Sequence, residues 1–256
     1  MTPPLGSPPV RAAFRTVPRR RGAMTARAVV VAEAAADGRT VLPVLRSAPP
    51  LSLRQTGPGR VHLVSTAAGP LGGDRLRLDL HVRPGATLTV ATVAGTLALP
   101  GDGESVMEVH ATVAAGAALA FLPEPTVLAA GCRHRSAVRL SLAADAAVTW
   151  REEIVFGRYG EAPGRCRARF DATVDGRPLL RQELVVGDPD VAGPAVYGDA
   201  RCVGSLLLAG AAARPAAPAI GEGRAVLPLA GPGTLIEALA PDVPTLRARL
   251  TPHATA

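Results

Sequence analysis

The stretches Leu78–Thr92, "LDLHVRPGATLTVAT", and Val109–Pro123, "VHATVAAGAALAFLP", can be laid one on the other. Each is a run of alternating apolar and polar residues, a small turn, and a second such run. Two further segments fit the same template: "VRLSLAADAAVTWRE" at 138–152 and "RFDATVDGRPLLRQE" at 169–183. The turns fall at Gly85, Gly116, Asp145 and Gly176, so the spacing is 31, 29 and 31 residues. A period of this length marks stacked architectures, in which a unit cannot bury its own apolar face and its neighbours complete the core. Alternation with period two makes the runs strands: Leu76, Leu78, Leu80 and Val82 share one face, and Arg75, Arg77, Asp79, His81 and Arg83 the other. The expected fold is all-β, with stacked sheets in an irregular β-helix-like (solenoid) arrangement and one or two short helices.

Upstream, "TARAVVVAEAAADGRTVLPVL" reads as a hairpin turning at Asp37-Gly38. Residues 1–23 carry five prolines, a run of arginines and no apolar period, and read as a disordered leader or as sequence added by a misassigned start ahead of Met24. Residues 24–256 are then a single β domain, with the roughly 30-residue repeats between 75 and 186. Downstream, "CVGSLLLAG" and "RAVLPLAGPGTLIEALA" each read as one strand, and Pro244 to Leu250 as a short helix.

Composition narrows the function. The formal charge of +7 comes from 28 arginines without a lysine, and aromatics make up only 3% of the 256 residues. Nucleic-acid binding calls for basic clusters interleaved with stacking aromatics, which are missing here. Three widely spaced cysteines, at 132, 166 and 202, fit neither a disulfide framework nor a structural zinc site, and suit a reducing compartment. No apolar run is long enough to span a membrane as a helix, and no signal peptide is apparent, so a cytoplasmic location is expected.

The chemistry-bearing residues are few. "GPLGGD" at 69–74 lacks the Lys and Ser or Thr of a phosphate loop and precedes a strand, not a helix. No serine sits in a nucleophile elbow, and no histidine stands in a recognisable relation to one. Cys132 and His134 are the closest pair of metal-ligand types, although a buried inert cysteine is the better account of the first. Carboxylates remain. Asp74 either caps the glycine turn or serves as a transient oxygen ligand. Glu124 stands between two prolines in "LPEPT", an exposed rigid setting; Glu152, Glu153 and Glu161 flank "IVFGRYG", and adjacent glutamates on a strand point to opposite faces, so at most one of Glu152 and Glu153 looks inward. Oxygen ligands hold a borderline divalent ion weakly and let it leave, which suits transport better than catalysis.

Taken in order, "AAGPLGGDRLRLDLHVRPGATLTVAT", "LPEPT", an arginine-rich strand and "GRYGE" resemble the urease accessory protein family UreD, called UreH in some organisms. Gly72, Gly73 and Asp74 match its glycine-aspartate signature, Thr92 its threonine after the first turn, and Gly157, Arg158 and Glu161 its "GR…GE" segment. The resemblance implies a non-enzymatic maturation factor with no cofactor of its own. It further implies binding to UreF, recruitment of the GTPase UreG through UreF, and docking on apo-urease to deliver nickel, with Asp74 and Glu161 as candidates lining a transient nickel route. "VAGTLALPG" at 93–101 departs from the family where a Gln, a Lys and an aromatic are common, which sets aside any role for those side chains. Two alternatives stand beside this reading. One is a solenoid holding polyanions or carbohydrates on Arg75, Arg77, Arg133, Arg135 and Arg139; the other is an enzyme using Asp74 and Glu161 as acid and base.

Overall fold

A computed structural model describes residues 22–189, 193–213 and 216–251. The proposed leader falls almost entirely on residues 1–21, outside the described residues. The chain opens with two hairpins, β1 (Thr25–Ala34) with β2 (Thr40–Arg46) and β3 (Leu51–Gly57) with β4 (Arg60–Ser65). Three coils follow: β5 (Arg75–Val82), β6 (Thr87–Thr92) and β7 (Thr96–Ala98); β8 (Ser105–Val113), β9 (Ala118–Leu122) and β10 (Thr126–Leu128); β11 (Arg133–Leu142) and β12 (Ala147–Val155). Then come β13 (Arg165–Val174), β14 (Arg177–Val186), helix α1 (Pro194–Tyr197), β15 (Cys202–Gly210), β16 (Ala219–Gly221), β17 (Arg224–Pro228), β18 (Gly233–Ala240) and helix α2 (Val243–Leu250).

The strands make two facing sheets. One runs β14-β13-β11-β8-β5-β1-β2; the other runs β16-β17-β18-β15-β12-β9-β6-β4-β3, with β10 beside β12 and β7 beside β10. Within the coils the pairing is parallel, and its register repeats the sequence period. Arg75 stands beside Val106 and Thr87 beside Ala118, steps of 31; Ser105 stands beside His134 and Ala118 beside Ala147, steps of 29. The coils therefore stack as the repeat requires, in the expected solenoid-like arrangement.

The corners explain why the stack is tight. Each is a four-residue turn closed by a backbone hydrogen bond, Ala86 N to Arg83 O, Ala117 N to Ala114 O and Ala146 N to Ala143 O, all 3.1 Å. Gly85 and Gly116 take φ of 69° and 62°, as the third position of a type II turn demands. The closing alanines are sealed inside, at 0, 1 and 0% exposure, and a larger side chain there would push the coils apart. Leu78, Leu80, Leu88, Leu119, Leu140 and Val148 fill the interior beside them. Each such burial contributes about 1.5–3 kcal/mol. Trp150 stacks on Phe121 at 4.2 Å and meets Phe170 of the opposite sheet edge-on at 5.6 Å.

Two segments depart from the expected path. The fourth unit keeps the spacing but does not cross to the second sheet. Asp175 and Gly176 both have positive φ, 47° and 75°, the geometry of a two-residue hairpin, so β14 folds back antiparallel on β13. "RAVLPLAGPGTLIEALA" is two strands, β17 and β18, because "AGPG" turns the chain between them. The terminal helix lies where expected. Asp242 caps it by accepting from Thr245 N at 2.8 Å, and Leu246 and Leu250 are buried. Among the described residues, no helix is long and apolar enough to cross a membrane.

Ala117→Leu overpacks a sealed corner and is expected to cost about 1–3 kcal/mol. Ala115→Leu, at the exposed side of the same turn, should stay within about 0.5 kcal/mol of wild type. Urea unfolding of the two variants checks this, and equal midpoints would contradict the corner packing.

Candidate functional site

Polar residues interrupt the apolar interior in two places, and the stacking register builds both. At the first, Asp74, Ser105, His134 and Cys166 occupy successive coils at the start of β5, β8, β11 and β13. All are buried, at 1, 0, 4 and 2% exposure. The Asp74 carboxylate accepts from Met24 N at 2.8 Å and from Leu71 N at 2.9 Å, so it ties β1 to the glycine loop. Gly72 of that loop lies against Gly101, where an added Cβ would meet backbone at 2.6 Å, and Gly73 has φ 94°. The glycines thus shape a tight entry into β5, and Asp74 caps it. His134 Nδ1 lies 2.8 Å from Ser105 Oγ, which also donates to the Arg133 carbonyl at 3.3 Å. Burial pushes the His134 imidazole down to about 4, so it is neutral at physiological pH.

Asp74 and His134 border a cavity of about 340 Å³ formed by the 63–70 and 92–97 segments over β5, β8 and β11. Thr92, also at its wall, donates to Ala94 O and accepts from Glu124 N, both at 2.9 Å, which stitches one coil to the next. The neighbouring Cys132 is 1% exposed, and burial raises its thiol to about 11, against the thiolate that metal ligation needs.

Gly157, Arg158 and Glu161 form a separate outer turn. Gly157 has φ 81°, and an added Cβ would meet the Ala162 carbonyl oxygen at 2.8 Å. The Arg158 guanidinium grips Glu161 through Nε, at 2.9 Å, and Nη2, while Ala130 N donates to the same carboxylate at 3.3 Å. Hydrogen bonding from Arg158 holds the Glu161 carboxyl at about 2. Glu161 does not line the cavity that Asp74 borders. Among the described residues, no three His, Cys, Asp or Glu side chains converge as a metal-holding group.

The second polar place was hidden in a strand. Along β12, Val148, Trp150, Glu152 and Ile154 share the inward parity, so Glu152 faces the interior and Glu153 the outside. Glu153 is nonetheless covered by α2, whose Arg247 donates to it through Nε (2.9 Å) and Nη2 (2.8 Å) and to Glu124 through Nη2 (2.8 Å). Glu152, Ser205 and Glu237 lie side by side on β12, β15 and β18. From the facing sheet, Gln182 donates to Glu237 Oε1 at 2.6 Å. These four line a cavity of about 40 Å³ between the cluster of Trp150, Phe170 and Leu207 and that of Ile154, Phe156 and Cys166. The Trp150 indole N–H is buried there without a partner. Burial raises the Glu152 carboxyl to about 7. Strand parity turns Glu152 inward, but only the register of β12, β15 and β18 and the facing strand β14 brings Ser205, Glu237 and Gln182 to it.

The arginine-bearing sheet face carries both signs of charge. Arg77 pairs with buried Asp79 at 2.7 Å and Arg135 with Glu104 at 3.6 Å, which weakens the case for a polyanion track.

Residues 24–256 match a family model described as UreD urease accessory protein. The chain is 45% identical to the urease accessory protein UreD of Parafrankia sp. (strain EAN1pec), over 90% of this chain and 88% of that protein. It is 42% identical to UreD of Streptomyces coelicolor, over 88% and 94%, and 40% identical to UreD 1 of Saccharopolyspora erythraea, over 87% and 91%.

Glu152 gives a signed pH dependence. Its native carboxyl keeps a proton to about 7, whereas an ordinary carboxyl, at 4.5, releases it in the unfolded chain. Between those values the native state binds more protons, so this residue's contribution is fully present in acid, erodes as pH rises and is lost past about 7. Glu152→Gln should therefore gain stability relative to wild type from pH 5 to pH 8 in urea unfolding. A difference independent of pH would contradict the burial.

Proposed function

Because the chain belongs to the UreD family of urease accessory proteins, we propose that it acts in urease maturation as a scaffold that binds apo-urease together with the accessory proteins UreF and UreG. UreG, reached through UreF, hydrolyses the GTP, and nickel passes to the urease active site as cargo. The observation that carries this reading is a family match spanning the whole β domain, from β1 past α2. The rigid stack suits a scaffold, since its corners and ladders fix surfaces without help from a ligand.

For the nickel contacts we retain Asp74, at the wall of the larger cavity, and Glu161, at the outer turn, and add Glu152 with Glu237 in the interior layer. The geometry favours Glu152 over Glu161. Arg158 already occupies both oxygens of Glu161, whereas Glu152 opens on a small, mainly apolar cavity whose other polar side chains are Gln182, Ser205 and Glu237. A carboxyl that ionises near neutral pH can exchange its proton for a borderline divalent ion and recover it, the weak oxygen ligation that release requires.

Urease purified from cells carrying the structural and accessory genes, with and without this chain, tests the function. The expected result without it is inactive urease with at least tenfold less nickel; full nickel loading would overturn the proposal. Glu152→Gln should lower nickel loading several-fold while the complex still co-purifies. Unchanged loading would remove Glu152 from the route but leave the maturation role intact.

A further inference from the structure

The larger cavity has a feature that nickel handling does not use. His134 is more than nine-tenths buried, and its Nδ1 is committed to Ser105. Ser105 has one hydroxyl hydrogen, and it goes to the Arg133 carbonyl. The network therefore assigns the imidazole proton to Nδ1, with Ser105 accepting it, and leaves Nε2 as the ring nitrogen for the cavity, carrying a lone pair. Around it the wall is mainly apolar, with Leu76, Leu97 and Met107, and a few hydroxyls, Thr92, Thr96 and Thr126. At about 340 Å³ the space lies within the range of small-molecule sites, which are mostly apolar with a small number of fixed polar groups.

We propose that this cavity is a binding site for a small organic molecule with an apolar body and one hydrogen-bond donor, a hydroxyl or ring N–H, which is read by the His134 Nε2 lone pair. The selectivity has a direct cause. An apolar body gains from leaving water wherever it fits, but once it fills the cavity and displaces water, only a donor on it can pair with the Nε2 lone pair. A neutral imidazole cannot donate through Nε2 in this tautomer, so anions and pure acceptors gain nothing there. The proposal does not need the maturation reading, although Asp74 stands at the same wall, and it is tested by binding alone.

Phenol and anisole, equal in ring and differing in the donor, are the probes, followed by saturation-transfer NMR on the full chain. Wild type is expected to bind phenol about tenfold more tightly than anisole, one hydrogen bond's worth. His134→Leu should remove that preference and keep anisole binding. Equal affinities for the two probes in wild type, or no binding of either at millimolar concentration, would overturn the proposal without reference to any variant. Phenol that binds the isolated chain but is expelled when the urease components assemble on it would also overturn it, assigning the cavity to a partner's side chain.

Discussion

Parallel stacking of coils at a fixed register step is the constraint on which the rest of this molecule depends. In a parallel ladder each residue faces its counterpart one coil away, so a step of 31 or 29 residues turns sequence separation into spatial contact. Sealed alanines at the corners keep the coils at ladder distance. The chain has few aromatics, and small side chains at these places are what let two sheets close on each other with Ala, Val and Leu.

The same constraint decides where chemistry can occur. A polar residue on the inward parity is carried into the interior with its strand and must find partners there, because burial without them costs several kcal/mol. Asp74 finds backbone amides, His134 finds Ser105, and Glu237 finds Gln182. Where partners are fewer, burial favours the uncharged form: the neutral imidazole of His134 and the proton-holding carboxyl of Glu152. On the outside the solution differs, and arginines bracket carboxylates, as Arg158 does Glu161 and Arg247 does Glu153. His134 and Glu152 thus present neutral groups to the interior, whereas Arg158 with Glu161 and Arg247 with Glu153 are committed ion pairs on the outward side.

Much of this was legible in the sequence. The repeat, the three corners, the Asp37-Gly38 hairpin, the capping role open to Asp74 and the opposite facing of Glu152 and Glu153 follow from period-two alternation and turn chemistry. The fourth unit was misread because Asp175-Gly176 has the same spacing as a corner, while two consecutive positive φ values make it a hairpin. Ser105 and His134 share no local pattern along the chain; only the stacking register, which sets residues 29 apart side by side, makes them a pair. The layer of Glu152, Ser205, Glu237 and Gln182 spans four strands whose mutual register no local pattern reveals. Cys132 and His134 share a parity, yet the ring's hydrogen bond goes to Ser105.

The central claim is that stacking brings His134 onto Ser105 in the buried interior, and ¹⁵N chemical shifts of the histidine ring measure it most directly. The account predicts a neutral His134 with its proton on Nδ1, unprotonated at Nε2, and no titration until the pH approaches about 4. A ring that titrates near 6.5, or that carries its proton on Nε2, would contradict the register, the burial and the site built on them.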